Sequence, residues 1–146
     1  MQLNTGIKIT RVLNAVAAGT SAQNGSILDM QRYEGVLFIA LFGTLTATQV
    51  TSIKAQQDTD SAGGTMADLY GTLVGPLADA DSNKCLVLDV LKPRERYVRC
   101  VVNRATANAV IDGVIAIQYA AGKAPTAHAA SVAFSESHES HPEGTA

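Results

Sequence analysis

The chain has no tryptophan, four tyrosines and three phenylalanines in 146 residues. So few rings leave little from which to build a stacking platform for sugars or for single-stranded bases. Cysteine is nearly absent as well. Cys85 and Cys100 are the only two, too few for the disulfide framework that staples small secreted domains. Charge is scarce: Asp, Glu, Lys and Arg make up 16% of residues and the net charge is −2. A general nucleic-acid binder would be basic overall, so no nucleic-acid partner is expected. Long apolar runs are missing too. The strongest, Val36–Phe42, falls far short of the roughly 20 residues a membrane helix needs. Near the N-terminus Val12–Ala18 is short and interrupted by Asn14, which is no targeting segment. The expectation is a soluble protein made in the cytosol, with no membrane partner.

What is present is β-forming sequence. The chain is 47% apolar, enough for one domain with a real core. Ile7–Val16 alternates as a first strand, and Ser26–Met30 suits a short one. Tyr33–Phe42 reads as a strand covered on both faces, Leu45–Gln57 as another, and Ala107–Ala121 as a long last strand rich in β-branched residues. Asn24-Gly25 and Gly75-Pro76 mark turns, and Asp58–Leu69 reads as a loop. From Gly122 the periodicity stops, and Pro, Ser, Ala and His dominate. These features specify an all-β fold, an antiparallel sandwich or barrel of about six to eight strands over residues 1–121. An extended or flexible arm over 122–146 follows. Val132 and Phe134 are its only sizeable apolar groups and so its candidate docking points.

The most informative stretch is Lys84–Arg104. Leu86, Leu88 and Val90 alternate with Cys85, Val87 and Asp89, and a second alternation runs from Tyr97 to Asn103. Pro93 interrupts between them, which reads as a hairpin with a charged turn. Six of the eleven Lys and Arg residues lie here: Lys84, Lys92, Arg94, Arg96, Arg99 and Arg104. Two readings of this charge stay open. The arginines can pair with local carboxylates, Asp89 and Asp112 foremost, as a plain polar sheet face. Alternatively Lys92, Arg94, Arg96 and Arg99 dock an acidic protein partner, since guanidinium forks grip carboxylates and are enriched at interfaces. Cys85 and Cys100 occupy inward strand positions on the two arms; a bridge is conceivable, but two reduced, buried thiols are expected.

Catalytic and metal patterns do not complete. Asp79-Ala-Asp81-Ser-Asn83 begins a calcium loop, but Lys84 and Val90 stand where glycine and glutamate are required. An irregular site pooling Asp58, Asp60, Asp79 and Asp81 is the remaining metal reading there. His138-Glu139-Ser140-His141 has the wrong spacing for two imidazoles on one helix face. There is no nucleophile elbow and no phosphate loop. The expectation is a protein without catalytic residues, metal or cofactor.

Whole segments of the chain resemble a known family. YEGVLFIALFGTLTATQVTSIKAQQ, DADSNKCLVLDVLKPRERYVRCVVNRATANAVIDGVIAIQY and the ending HPEGTA are similar to small virion structural proteins of tailed bacteriophages. Those proteins are interpreted as head decoration, or cement, proteins. The resemblance implies a non-enzymatic homotrimer on the capsid surface of the virion, bound to the major capsid protein and stabilising the mature head. It carries no catalytic motif. A head–tail connector or tail component is the structural alternative, and a displayed carbohydrate-binding module the alternative of another class.

Overall fold

The computed structural model describes residues 2–140 and 142–145. After a single turn of helix, α1 (Leu3–Gly6), ten strands follow: β1 (Lys8–Leu13), β2 (Val16–Gly19), β3 (Gln23–Asn24), β4 (Leu28–Asp29), β5 (Tyr33–Leu45), β6 (Val50–Asp58), β7 (Ala67–Asp68), β8 (Cys85–Leu91), β9 (Tyr97–Ala105) and β10 (Ala109–Ala121). They form two antiparallel five-stranded sheets. Sheet A runs β1-β10-β5-β8 with β2 also on β10; sheet B runs β3-β9-β6-β7 with β4 also on β9. The fold is a β-sandwich. Its strand number exceeds the expected range because β3, β4 and β7 are two-residue pieces too short to show a period.

The core is the alternating inner face of each long strand. Val36, Phe38, Ala40 and Phe42 of β5 meet Ala116 and Val114 of β10, Leu88 and Val90 of β8, and Ile53, Val98, Cys100 and Val102 of sheet B. Burial of such side chains is the main stabilising term, roughly 1.5–3 kcal/mol for each large one. Gln118 is one of several buried polar residues. Its Nε2 donates to the Asp29 carbonyl at 2.8 Å, tying β10 to β4 across the two sheets.

Several local expectations are corrected. Lys84–Arg104 is not a hairpin: β8 pairs with β5 in sheet A, whereas β9 pairs with β6, β3 and β4 in sheet B. Lys92–Arg96 is therefore the corner where the chain changes sheets. Period-two alternation reports a half-buried strand but not its neighbour, so two adjacent strands in sequence look the same in either arrangement. The Ile7–Val16 strand breaks into β1 and β2 at Asn14 and Ala15, just past a register shift between Arg11 and Leu13. Leu45–Gln57 also divides, since Leu45 ends β5 and a turn containing Thr48 at positive φ precedes β6. β5 is covered on its inner face only; Leu37 and Ile39 are half-buried and Leu41 is exposed on the other. Cys85 is exposed on that outer face while Cys100 is buried, and both are free.

The region after Gly122 contains no strand among the described residues, yet its first part is held. Thr126 N donates to the Thr5 carbonyl at 2.9 Å and Ala129 N to the Ile9 carbonyl at 3.1 Å. In return Ile9 N donates to His128 Nδ1 (3.1 Å) and Arg11 N to Ser131 Oγ (2.9 Å). The arm thus covers the outer edge of β1. With Nδ1 accepting, the His128 proton sits on Nε2 and points to Asn4 Oδ1, 2.6 Å away.

Candidate functional site

The six cations of Lys84–Arg104 sort by what they touch. Lys84 pairs with Asp81 one turn away, at 2.7 Å. Arg96 grips Asp29 with both branches, Nε to Oδ1 at 2.8 Å and NH2 to Oδ2 at 2.7 Å, and also reaches Gln31 Oε1. Its guanidinium stacks over the Tyr97 ring, 5.2 Å from the centroid. Arg99 donates to Gln56 Oε1, and Gln56 with Lys54 holds Asp68, so the outer face of sheet B carries a closed polar network. Arg104 is buried and bonds three backbone carbonyls. Asp89 and Asp112 serve none of these arginines. Asp89 accepts from the Tyr119 hydroxyl at 2.7 Å, and Arg11 rather than a member of the segment bonds the Asp112 carbonyl. The carboxylates that pair with Arg96 and Lys54 lie far off in sequence or on two-residue strands, which no local pattern signals.

Lys92 and Arg94 remain. Among the described residues neither side chain has an ion pair or hydrogen bond. The corner geometry holds them out: Lys92 turns at φ 50°, its N–H is spent on the Glu34 carbonyl, and Pro93 has none to give. The Lys92–Arg94 ridge separates two open clefts. One, about 500 Å³, is floored by Met30, Tyr33 and Glu34; the other, about 460 Å³, by Leu69, Tyr70, Val90 and Leu91. Tyr70 is fully exposed and Leu91 is 62% exposed. Two unpaired cations beside an uncovered ring and an uncovered leucine have the makeup of a protein-docking surface. Tyr70 was invisible to sequence reasoning because it sits in an aperiodic connection and owes its position to the pairing of Val74 with Ile53.

The Asp29–Arg96 clamp supports this corner from below. The Arg96 hydrogen bond holds the Asp29 carboxyl down from the usual 3.8 to about 2, against a smaller opposing effect of burial. A carboxylate depressed in the folded state contributes stability that is present above about pH 3.8 and lost as pH falls toward 2. Asp29→Asn is therefore expected to flatten the acid limb of a plot of unfolding free energy against pH, mostly between pH 4 and 2. An acid limb identical to the parent's would show that the pair is solvated and adds nothing.

The other predicted groups are dispersed. Val132 is half-buried against the arm's own groove beside Ile9 and Ile115, whereas Phe134 is 93% exposed. Asp58, Asp60 and Asp81 cap their own turns, and Asp79 caps the distant turn that carries Thr48. Asp58 accepts from Asp60 N, Thr65 N and the Thr65 hydroxyl, Asp60 from Ala62 N, Asp79 from Thr48 N, and Asp81 from Ala78 N. Among the described residues no three His, Cys, Asp or Glu side chains gather as a metal site. His138 contacts Glu136, and His141 lies outside the described residues. Burial pushes the Cys100 thiol up to about 12, far from a nucleophile. No described helix is long and apolar enough to cross a membrane.

The chain matches no protein-family model and no curated protein.

Proposed function

We propose that this is a non-enzymatic structural protein of a tailed-phage virion, a decoration protein that binds the outside of the mature head and stabilises the shell. It acts as a homotrimer against the major capsid protein. The observation that carries this reading is the corner itself. Once every other cation of its segment is accounted for, Lys92 and Arg94 stand free beside exposed Tyr70 and Leu91. That arrangement suits holding a partner. The choice of partner in this reading rests on the resemblance of whole segments to head decoration proteins. Repetition over a lattice would sum individually weak contacts into firm attachment.

The test is to titrate heads lacking the protein with the purified chain. Saturable binding that raises the temperature at which heads release DNA is expected. Lys92→Glu with Arg94→Glu should raise the half-saturating concentration about tenfold, the effect of roughly 1.4 kcal/mol from two exposed charges. Arg96→Glu is unsuitable for this purpose because it breaks the clamp on Asp29. Absence of binding by the parent chain would overturn the assignment, and equal binding by the double variant would remove the corner from it.

A further inference from the structure

The two edges of sheet A are treated differently. β1 is covered by the arm of its own chain, whereas β8 ends the sheet with no strand beyond it among the described residues. The ladder shows which groups are left over. Phe42 N bonds the Lys84 carbonyl and Lys92 N bonds the Glu34 carbonyl, both in the register that pairs Leu88 with Phe38. In an antiparallel pair bonded and non-bonded residues alternate. Leu86, Leu88 and Val90 therefore direct N–H and C=O toward β5, and Val87, Asp89 and Leu91 direct theirs outward. Such a row of unpaired groups is a template for an added strand.

The chain carries one segment suited to it. Beyond Lys123 there is no Lys or Arg, and Phe134 is followed by Glu136 and Glu139. Phe134 is exposed with nothing beneath it. We propose that the second half of β8 and the Lys92–Arg94 corner receive Val132–Glu139 from the arm of a second copy, laid alongside Leu88–Lys92 as an extra strand. The charges set its direction: cations lie at the C-terminal end of β8 and the glutamates follow the apolar residues, so the strand runs parallel to β8. With Glu136 at Lys92, Phe134 falls beside Val90, at the cleft lined by Leu69 and Tyr70. Val132, lifted from its own groove beside Ile9 and Ile115, then lies beside Leu88, and Ala133, not a carboxylate, is next to Asp89.

The donor must be another copy. Ser131 is bonded to Arg11 on β1, and β8 lies three strand spacings away, about 14 Å. One residue extends the chain by at most about 3.5 Å, so Val132 cannot reach its own Leu88. Giver and receiver sit on opposite edges of one sheet, which makes the contact head-to-tail and able to close into a ring.

Residue-resolved amide exchange on the full-length chain tests this without capsids, so it stands or falls apart from the role proposed above. Asp89 and Leu91 amides should become at least about tenfold more protected as concentration rises, while Leu88 and Val90, bonded to β5, stay protected throughout. Phe134→Asp should abolish the gain. Glu136→Lys with Glu139→Lys should also abolish it and regain it when mixed with Lys92→Glu, Arg94→Glu chains. In a Cys85→Ser background, Leu91→Cys and Ser135→Cys should form a disulfide between copies. Fast exchange at Asp89 and Leu91 at every concentration overturns the proposal. So does protection that ignores the arm variants, which would put another strand there, or protection in a monomer independent of concentration.

Discussion

Replacing Arg104 with methionine is expected to lower the free energy of unfolding by about 3 kcal/mol, measured as a lower urea midpoint at unchanged slope. Arg104 sits on β9 of sheet B and is 5% exposed. Its Nε donates to the Ser21 carbonyl at 2.9 Å, and NH1 donates to those of Ala17 (2.9 Å) and Ala109 (2.7 Å). The side chain thereby stitches sheet B to β2 and to the start of β10. Among the described residues no carboxylate pairs with it, and burial lowers its pKa; a guanidinium nevertheless stays charged. Methionine fills similar volume but leaves three carbonyls unpaired, at about 1–3 kcal/mol each. Relief of the desolvated charge offsets part of that loss. Lysine should recover only a fraction, because an ammonium lacks the planar fork. Since no ion pair is involved, added salt should leave the difference unchanged. A methionine variant as stable as the parent would mean that water satisfies the carbonyls, and the stitch would be refuted.

Gly25→Ala is expected to cost about 2 kcal/mol. Gly25 N donates to the Cys100 carbonyl at 2.8 Å and Ser26 N to the Val12 carbonyl at 2.7 Å. These two consecutive bonds close the seam between β9 of sheet B and β1 of sheet A. A Cβ on Gly25 would lie 2.9 Å from the Cys100 oxygen and 3.5 Å from that of Val12. Both are backbone atoms in core strands and cannot turn aside. Relief comes only by lifting the segment off the seam and weakening both bonds. Gly64→Ala is the control, with nothing nearer than 3.8 Å to an added Cβ. Thermal unfolding should separate the two variants by several degrees, and the Gly25 and Ser26 amides should exchange faster in the alanine variant. Coincident melting curves would show that the seam opens without consequence.

The effect of Arg104 illustrates how differently parts of this molecule can be read. Alternation along Tyr97–Asn103 identifies a strand without any structure. Arg104 at its end looks like one more surface cation, and only the arrival of residues 17–21 and 109 turns it into a buried brace. The basic segment behaves likewise. Six cations are visible in the sequence, but which of them are free depends on partners such as Asp29 and Gln56, at separations of 67 and 43 residues. The half of the candidate site made of Lys92 and Arg94 was legible because charge and proline concentrate there. The half made of Tyr70 and Leu91 was not, since exposure of an apolar side chain depends on what fails to cover it.

The sequence by itself determined the class of fold. Strict two-residue periods, β-branched content and punctuating glycines leave an antiparallel sandwich or barrel, because side chains of a strand alternate faces wherever it lies. It also determined that no catalytic motif is complete, since such motifs need particular residue types at particular spacings. The tertiary structure decided which strands are neighbours, and so made Lys92–Arg96 a corner between sheets instead of a hairpin turn. It decided that Cys85 faces outward, that the arm guards β1, and that β8 is left open. Those are properties of pairing between distant segments, and a local period carries no record of them.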